Sequence, residues 1–355
     1  MPVPRSRPAE ATVAGLVRWY RDCFPEAVDV AVTLVPSPRA TGFSCETVLF
    51  DVEAAVDGRH AREELAARVQ PDGYTLYRDH DLDRQWRVIE AVHQVGTVPV
   101  PRILAGGTGR EEYLGTPFFV MERRPGLTCS DAPPYSMKGW LKDAEPIRQR
   151  RVVERSIDVL AAIHAVDTSK LPEEHLARLI PPGIHDQVHS YGEFLAWVED
   201  GRTVPDLDDA YDWLRAGVPD HPERGLCWGD ARIGNMLYAD DRPSAVLDWE
   251  MVALGPPESD LAWWLVFDRI HTEGRDVPRL PGFPTEKEMV ARYQDLTGRP
   301  VRQLHYYQVW AALRAAALLY RFQDMLVLSG IAPDEAHAAY QPAFRVLRRL
   351  MDDAR

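Results

Sequence analysis

Residues 226–260 read LCWGDARIGNMLYADDRPSAVLDWEMVALGPPESD, and the spacing of three polar residues in this stretch is the most informative feature of the sequence. Asn235 follows Asp230 by five residues, and Asp248 follows Asp230 by eighteen. A carboxylate can accept the proton of a hydroxyl group, whereas an amide oxygen and a second carboxylate are ligands that suit Mg²⁺. The order of these side chains therefore indicates a site where a hydroxyl group meets a metal-bound anion.

The same order is typical of kinase-type phosphoryl transfer. Each residue alone also has an ordinary structural explanation, with Asp230 and Asn235 as turn residues and Asp248 as a helix N-cap. All three at this spacing favour the functional interpretation. We therefore predict that Asp230 is the catalytic residue and that Asn235 and Asp248 bind Mg²⁺ on the phosphates of ATP.

Composition argues against several other classes of protein. A formal net charge of −13 over 355 residues disfavours non-specific binding to nucleic acid or to an anionic membrane. The four cysteines lack zinc-type spacing, and the N-terminus lacks a signal-type apolar run, so we expect a cytoplasmic protein with reduced thiols and no membrane span. Neither a Walker-type GxxxxGK[ST] nor a Gly-x-Ser-x-Gly elbow occurs, which excludes P-loop and hydrolase interpretations.

Hydrophobic periodicity divides the chain into two parts. The first part predicts a small sheet with packed helices, with a helix at 10–24, strands at 28–36, 43–53 and 62–70, a helix at 80–95, and strands at 101–106 and 118–121. After Pro125-Gly126 the pattern predicts long helices, at 145–166, 187–199, 207–216, 259–270, 285–297, 302–325 and 332–353. We predict a nucleotide-binding lobe at 1–122, a hinge at 123–126 and a helical lobe at 127–355.

This arrangement resembles the aminoglycoside phosphotransferase-like branch of the protein kinase-like superfamily. GDARIGN and LDWEMVALGPPESDLAW resemble in particular the phosphotransferase domains that are fused to acyl-CoA dehydrogenases. The resemblance implies an α+β bilobal protein kinase-like fold, with a small, mainly antiparallel sheet in the N-terminal lobe and a larger α-helical C-terminal lobe. It also implies ATP and Mg²⁺ as cofactors and transfer of the γ-phosphate to a hydroxyl group of a small molecule.

In the N-terminal lobe, ATGFSCETVLFDV resembles the hairpin that covers the phosphates, where Gly42 and Ser44 would let backbone N–H groups approach them. Arg68 stands where the family usually carries the lysine that pairs with the α- and β-phosphates, although an exposed strand arginine is an equal alternative. Gln85 aligns best with the glutamate that orients this lysine. A neutral amide cannot neutralise a guanidinium, so the resemblance is weaker here.

The segment FVMERR resembles the linker that reads the adenine edge. The Glu122 C=O and the Arg124 N–H would pair with the base, and Met121 would supply an apolar contact. A buried strand leading into a loop fits these residues equally well.

Four residues of the C-terminal lobe match or depart from the family pattern. Asp260 resembles the buried aspartate that starts a helix and accepts backbone hydrogen bonds from the catalytic loop. Trp228 replaces a histidine, which predicts a packed indole and the loss of a hydrogen-bonding prop. We also expect Trp249 to pack and His164 to have a structural role.

The acceptor is not specified by the sequence. Three segments, 129–145, 185–215 and 263–270, are expected to line its pocket, and they mix acidic with aromatic residues. Acidic groups would suit a polycationic aminoglycoside, whereas aromatic groups would suit an apolar or hydroxyacyl-type alcohol, to which the resemblance leans. Two alternatives stay open: a nucleotide-binding protein without catalysis, and a nucleotidyl transferase that releases pyrophosphate.

Overall fold

The structure is a computed structural model, and it describes residues 7–36, 45–71, 76–78, 81–106, 111–176, 180–220, 222–328, 330 and 342–354. The protein has two lobes, a small antiparallel sheet with packed helices and a larger helical part. This is the bilobal protein kinase-like fold that the sequence predicts. Among the described residues, every helix is too short or too polar to span a lipid bilayer.

The N-terminal lobe contains a five-stranded sheet with the order β1-β2-β3-β5-β4, in which each neighbouring pair is antiparallel. Its strands are β1 (Val28–Leu34), β2 (Glu46–Val56), β3 (Arg59–Val69), β4 (Ile103–Ala105) and β5 (Phe118–Glu122). Its helices are α1 (Ala9–Cys23), α2 (Leu82–Val95) and the short α3 (Glu111–Leu114).

Strand β5 is buried on both faces, which explains its continuous apolar sequence. Phe118 and Val120 pack with Trp19 of α1 on one face of the sheet. Phe119 and Met121 point to the opposite face and join the core that includes α2. Because side chains alternate along a strand, one apolar run can serve both cores.

Helix α2 ends at the predicted residue and begins two residues later than predicted, and both ends are capped. The Asp81 side chain accepts a hydrogen bond of 2.9 Å from the Arg84 N–H, as an N-cap should. The helix stops at Gly96, whose φ of 77° lies in the left-handed region that glycine adopts without strain. The two caps therefore set the length of α2.

The C-terminal lobe is built mainly from helices. They are α4 (Pro146–His164), α5 (Glu173–Leu176), α6 (Ile184–Glu199), α7 (Pro205–Ala216), α8 (Glu258–His271), α9 (Glu286–Thr297), α10 (Leu304–Leu328) and α11 (Pro342–Asp353). Two small antiparallel pairs lie between α7 and α8 in sequence: β6 (Gly225–Cys227) with β9 (Ala253–Gly255), and β7 (Met236–Ala239) with β8 (Arg242–Val246).

The structure departs from the predicted elements in a few places. Several elements of three or four residues were not predicted, because elements this short show no clear period: helices α3 and α5 and strands β6, β7 and β9. The predicted helix at 332–353 is seen from 342 onward, and residues 331–341 lie outside the described residues. The boundaries of the lobes and of the hinge at 123–126 stay predictions.

Candidate active site

Two loops meet where the small strand pairs end. The first loop follows β6 and carries Asp230 and Asn235, and the second follows β8 and carries Asp248. The Leu247 N–H donates a hydrogen bond of 2.9 Å to the Asn235 carbonyl oxygen, which joins the two loops directly. Residues that are far apart in sequence are thereby brought to one place.

Asp230 is buried and accepts hydrogen bonds on both carboxylate oxygens. The Asn235 Nδ2 donates to Asp230 Oδ2 at 2.6 Å, and the Trp263 indole N–H donates to Oδ1 at 2.8 Å. The Arg232 Nε contacts both oxygens, at 2.9 and 3.0 Å. These contacts hold the carboxylate in one orientation, as an efficient proton acceptor requires.

The electrostatic environment makes Asp230 more basic than an ordinary aspartate. Burial raises its pKa, and the nearby charge of Asp248 adds to the rise. Arg232 and the Trp263 N–H act in the opposite direction and lower the pKa. A carboxylate that is more basic but still oriented is better suited to take a hydroxyl proton near neutral pH.

Arg232 connects the loop after β6 to the segment that contains Asp131. Its Nε pairs with Asp230, and its Nη1 pairs with Asp131. The guanidinium lies 5.5 Å from the centre of the Phe267 ring, so its face is covered by an aromatic side chain. Arg232 was not predicted as a site residue, because nothing near it in sequence indicates its contact with the distant Asp131.

Asn235 and Asp248 carry side-chain oxygens of the kind that could hold Mg²⁺. The Asn235 Nδ2 donates to the backbone and side chain of Asp230, which turns its amide oxygen away from that carboxylate. Asp248 adopts a φ of 58° and keeps 17% of its side chain exposed. An amide oxygen and a carboxylate on adjoining loops fit a hard divalent cation.

Arg68 is buried rather than exposed, which contradicts the alternative that it is a surface arginine. Its guanidinium donates to Asp248 Oδ1 at 3.1 Å and to Thr47 Oγ1 at 3.0 Å. The structure therefore places the predicted phosphate-binding cation directly against the predicted metal ligand. A positive charge at this point is suited to a nucleotide phosphate.

The structure does not place Gln85 in the orienting role that the alignment gives it. Gln85 is buried on α2, yet the hydrogen bonds of Arg68 within the described residues go to Thr47 and Asp248. The neighbouring Arg84 instead donates from Nη2 to the Glu250 carbonyl oxygen. Among the described residues, Asp248 is thus the carboxylate that pairs with Arg68.

Asp260 anchors the catalytic loop from below, as the resemblance implies. Its carboxylate accepts hydrogen bonds from the backbone N–H groups of Trp228, at 2.6 Å, and Gly229, at 2.9 Å. His164 contacts the same carboxylate at 3.1 Å and the Tyr293 hydroxyl at 2.6 Å, which confirms its structural role. Asp260 lies in the first turn of α8, although it is not the N-cap residue.

Trp228 packs as expected but also keeps a hydrogen bond, so the predicted loss of a prop was wrong. Its indole N–H donates to the Leu247 carbonyl oxygen at 2.9 Å, immediately before Asp248. The ring lies 6.2 Å from that of Trp249, and both side chains are fully buried. An indole N–H can thus join the two loops much as an imidazole would.

Gly229 is required by the close contact between the two loops. Its φ is 93°, and a Cβ atom at this position would lie 2.0 Å from the Met251 carbonyl oxygen. A Cβ atom and a carbonyl oxygen cannot approach so closely, so any residue other than glycine would force the loops apart.

The predicted adenine-binding groups lie at the end of β5. Among the described residues, neither the Glu122 carbonyl nor the Arg124 N–H takes part in a turn or loop hydrogen bond. The side chain of Met121 is buried. Gly42 and Ser44 lie outside the described residues. Nucleotide binding by these residues therefore stays a prediction.

A small cavity opens beside Arg232. Residues from the predicted segments 129–145 and 263–270 contribute to its lining, and none of its lining residues comes from 185–215. It is lined by Asp131, Tyr135, Arg232, Ile233, Gly234, Trp264, Phe267, Asp268, His271 and Phe283.

The phosphotransferase enzyme family (APH) matches residues 54–282, which include strands β3 to β5, both loops and Asp260. The chain belongs to this family. A mouse protein, acyl-CoA dehydrogenase family member 10, is 28% identical over 74% of the chain, and the match spans 24% of that longer protein.

Solved structures show the same fold. A Ralstonia eutropha protein named as a candidate aminoglycoside phosphotransferase superimposes with a TM-score of 0.66 at 22% identity, covering 95% of this chain and 94% of its own. Aminoglycoside phosphotransferase APH(4)-Ia, solved with AMP-PNP and hygromycin B, gives a TM-score of 0.54 at 16% identity, covering 94% and 98%.

Proposed function

We propose that this phosphotransferase uses Mg²⁺ and ATP to phosphorylate a hydroxyl group of a small molecule. The observation that carries the proposal is the arrangement of Asp230, whose carboxylate is buried, oriented and joined by Asn235 to the loop that bears Asp248. Arg68 lies on β3 and contacts Asp248, and it supplies the positive charge that a nucleotide phosphate needs. The AMP-PNP bound to a structural neighbour is consistent with a nucleotide site in this fold.

Each residue has a defined role in the proposed reaction. Asp230 accepts the proton of the acceptor hydroxyl as its oxygen bonds to the γ-phosphorus, and the bond from that phosphorus to the β–γ bridging oxygen breaks to release ADP. Asn235 and Asp248 would hold Mg²⁺, which when bound neutralises charge on the phosphates. Arg68 orients the phosphates, and the Glu122 carbonyl and Arg124 N–H pair with the adenine edge.

The identity of the acceptor stays open between an aminoglycoside-like and a hydroxyacyl-type compound. The aromatic lining of the cavity supports an acceptor with an apolar part. The hydrogen bonds around Asp230 support catalysis over nucleotide binding alone, because a non-catalytic protein has no physical need for an oriented, basic carboxylate. A cytoplasmic location stays a prediction of the sequence.

Calorimetry of ATP binding with and without Mg²⁺ tests the nucleotide and metal sites, and it needs no knowledge of the acceptor. We expect Mg²⁺ to strengthen ATP binding in the wild type, and we expect Asp248→Ala to lose that gain because one of two protein ligands is removed. Asp209→Ala, which removes an exposed aspartate, is the matched control and should behave as the wild type. Absence of ATP binding in every condition would overturn the proposal.

A further inference from the structure

A cation lies close to Asp230 without an anionic partner. Arg314, in the middle of α10, is half-buried and forms no hydrogen bond or ion pair with any residue that the structure describes. Its guanidinium instead lies 4.7 Å from the centre of the Trp263 ring and 5.5 Å from that of Trp310. An aromatic face attracts a cation, but it leaves the five N–H donors of a guanidinium without oxygen acceptors.

The neighbouring arginines of the site are already paired. Arg68 forms an ion pair with Asp248, and Arg232 forms ion pairs with Asp230 and Asp131. Their charges are therefore balanced by carboxylates of the protein, whereas the charge of Arg314 is available to a ligand.

Two further donors around Arg314 are buried without acceptors. The Tyr191 hydroxyl and the Trp310 indole N–H have no hydrogen-bond partner within the described part of the chain. The two rings meet edge to face, with centres 4.9 Å apart. Burial raises the pKa of Tyr191, and the charge of Arg314 opposes the rise, so the hydroxyl lies in the field of the guanidinium. Buried donors of this kind are costly unless a ligand supplies an acceptor.

Trp263 connects Arg314 with the catalytic carboxylate. The guanidinium lies over its ring, and its indole N–H donates to Asp230 Oδ1 at 2.8 Å. The guanidinium is therefore within about 10 Å of Asp230 Oδ1, because one indole ring makes both contacts. Burial raises the pKa of Tyr77, and Asp230 adds to the rise while Arg314 opposes it, so both charges act on the same hydroxyl. One small molecule can thus contact Asp230 and Arg314 together.

Arg314 is separated from the proposed nucleotide side of the site. Asn235, the proposed metal ligand, donates to Asp230 Oδ2, whereas Trp263 donates to Oδ1. The indole beneath Arg314 thus approaches the carboxylate from a different side than the metal ligand. This position favours a contact with the acceptor over a contact with the phosphates of ATP.

We propose that Arg314 binds a carboxylate group of the acceptor, so that the acceptor is a hydroxy acid. The inference rests on the proposed phosphotransferase function and names its substrate class. A guanidinium pairs with a carboxylate through two parallel hydrogen bonds, and the Tyr191 hydroxyl and the Trp310 N–H are further donors for the same anion. A polycationic acceptor would instead place positive charge against Arg314.

The test compares matched acceptors in an assay of ADP release from Mg²⁺ and ATP. The panel contains straight-chain hydroxy acids that differ in the position of the hydroxyl group, and the carboxamide of each acid. The carboxamide has the same length and shape as the acid but no charge. A hydrogen bond to a charged group predicts a KM lower by roughly ten- to a hundredfold for the acid of the best pair.

Variants locate the preference at Arg314. Arg314→Gln should reduce the KM ratio between amide and acid to less than about threefold and leave ATP affinity unchanged, because the charge is lost on the acceptor side. Arg314→Lys keeps a cation without the planar fork, so its ratio should lie between those of the wild type and Arg314→Gln. Arg321→Gln is the matched control, since Arg321 lies on the same helix and 4.1 Å from the centre of the Trp197 ring. It should keep the wild-type ratio.

Equal KM values for acids and amides in the wild type would overturn the inference, and this comparison needs no variant to fold. An unchanged ratio in Arg314→Gln, or an equal loss in Arg321→Gln, would also overturn it. Weaker ATP binding with an unchanged preference for acids would show that Arg314 serves the nucleotide instead. Absence of ADP release with every hydroxy acid, while ATP binds with Mg²⁺, would overturn the inference as well. Failure of the underlying function is distinguishable, because it would appear as loss of Mg²⁺-dependent ATP binding in calorimetry.

Discussion

Substitution of Asp260 by asparagine tests how the catalytic loop is held in place. The carboxylate is 2% exposed, and it accepts hydrogen bonds from the N–H groups of Trp228 and Gly229 and contacts His164. Asparagine has the same shape, but its NH₂ group must replace one accepting oxygen. At least one backbone N–H then faces another donor instead of an acceptor.

The expected loss of stability in Asp260→Asn follows from these hydrogen bonds. A hydrogen bond to a charged group contributes about 1.5–3 kcal/mol, and a buried donor left unpaired costs about 1–3 kcal/mol. We therefore expect Asp260→Asn to lower the free energy of unfolding by about 3–5 kcal/mol, as measured by urea unfolding. Because Gly229 immediately precedes Asp230, we also expect phosphoryl transfer to fall at least about tenfold while ATP affinity changes little.

Asp206→Asn is the matched control for this substitution. Asp206 also accepts three hydrogen bonds, all from Arg348, but this pair lies at the surface. An exposed ion pair contributes about 0–1 kcal/mol, so the control should be nearly neutral for stability and transfer. If Asp260→Asn proved as mild as Asp206→Asn, the anchoring role of Asp260 would be refuted.

Two further predictions concern the same region. Gly229→Ala should abolish most transfer, because its Cβ would meet the Met251 carbonyl, whereas Gly298→Ala, with φ 66° and open space around it, should cost only about 1 kcal/mol and leave steady-state transfer unchanged. Equal transfer by both variants would contradict the close contact between the loops. The second concerns pH: unfolded histidine binds a proton below about 6.5, whereas buried His271 binds one only below about 4. Stability should therefore fall by up to about 3 kcal/mol between pH 6.5 and 4, and His271→Gln, but not the exposed control His189→Gln, should reduce this fall in urea unfolding. A wild-type pH profile in His271→Gln would refute the neutral state of the buried ring.

Sequence predicts the parts of the site that depend on local spacing. Asp230 and Asn235 are five residues apart in one loop, so their order alone indicated that they act together. Asp248 lies just after β8, and its spacing of eighteen residues from Asp230 was the signal that indicated its role. The two-lobe fold was predictable for the same reason, because alternation gives way to helical periodicity after Pro125-Gly126.

Contacts between distant segments were beyond prediction. Arg232 and Asp131 are 101 residues apart, and no pattern around either residue points to the other. Arg68 and Asp248 are 180 residues apart. The resemblance to the family placed the partner of Arg68 on α2, because a match of sequence positions carries no information on the distance between side chains. The hydrogen bond from Trp228 to Leu247 was likewise invisible, because it depends on how an indole packs between two loops.

The proposed reaction is transfer of the γ-phosphate of ATP to a hydroxyl group, with Asp230 as proton acceptor. Phosphorus NMR of ATP, Mg²⁺ and a panel of hydroxyl compounds tests it most directly, because each product has its own resonances. We predict ADP together with a new phosphate monoester, and nearly complete loss of both in Asp230→Asn with ATP affinity retained. Pyrophosphate in place of ADP would identify nucleotidyl transfer, and ATP that binds but stays intact with every acceptor would contradict the catalytic role of Asp230.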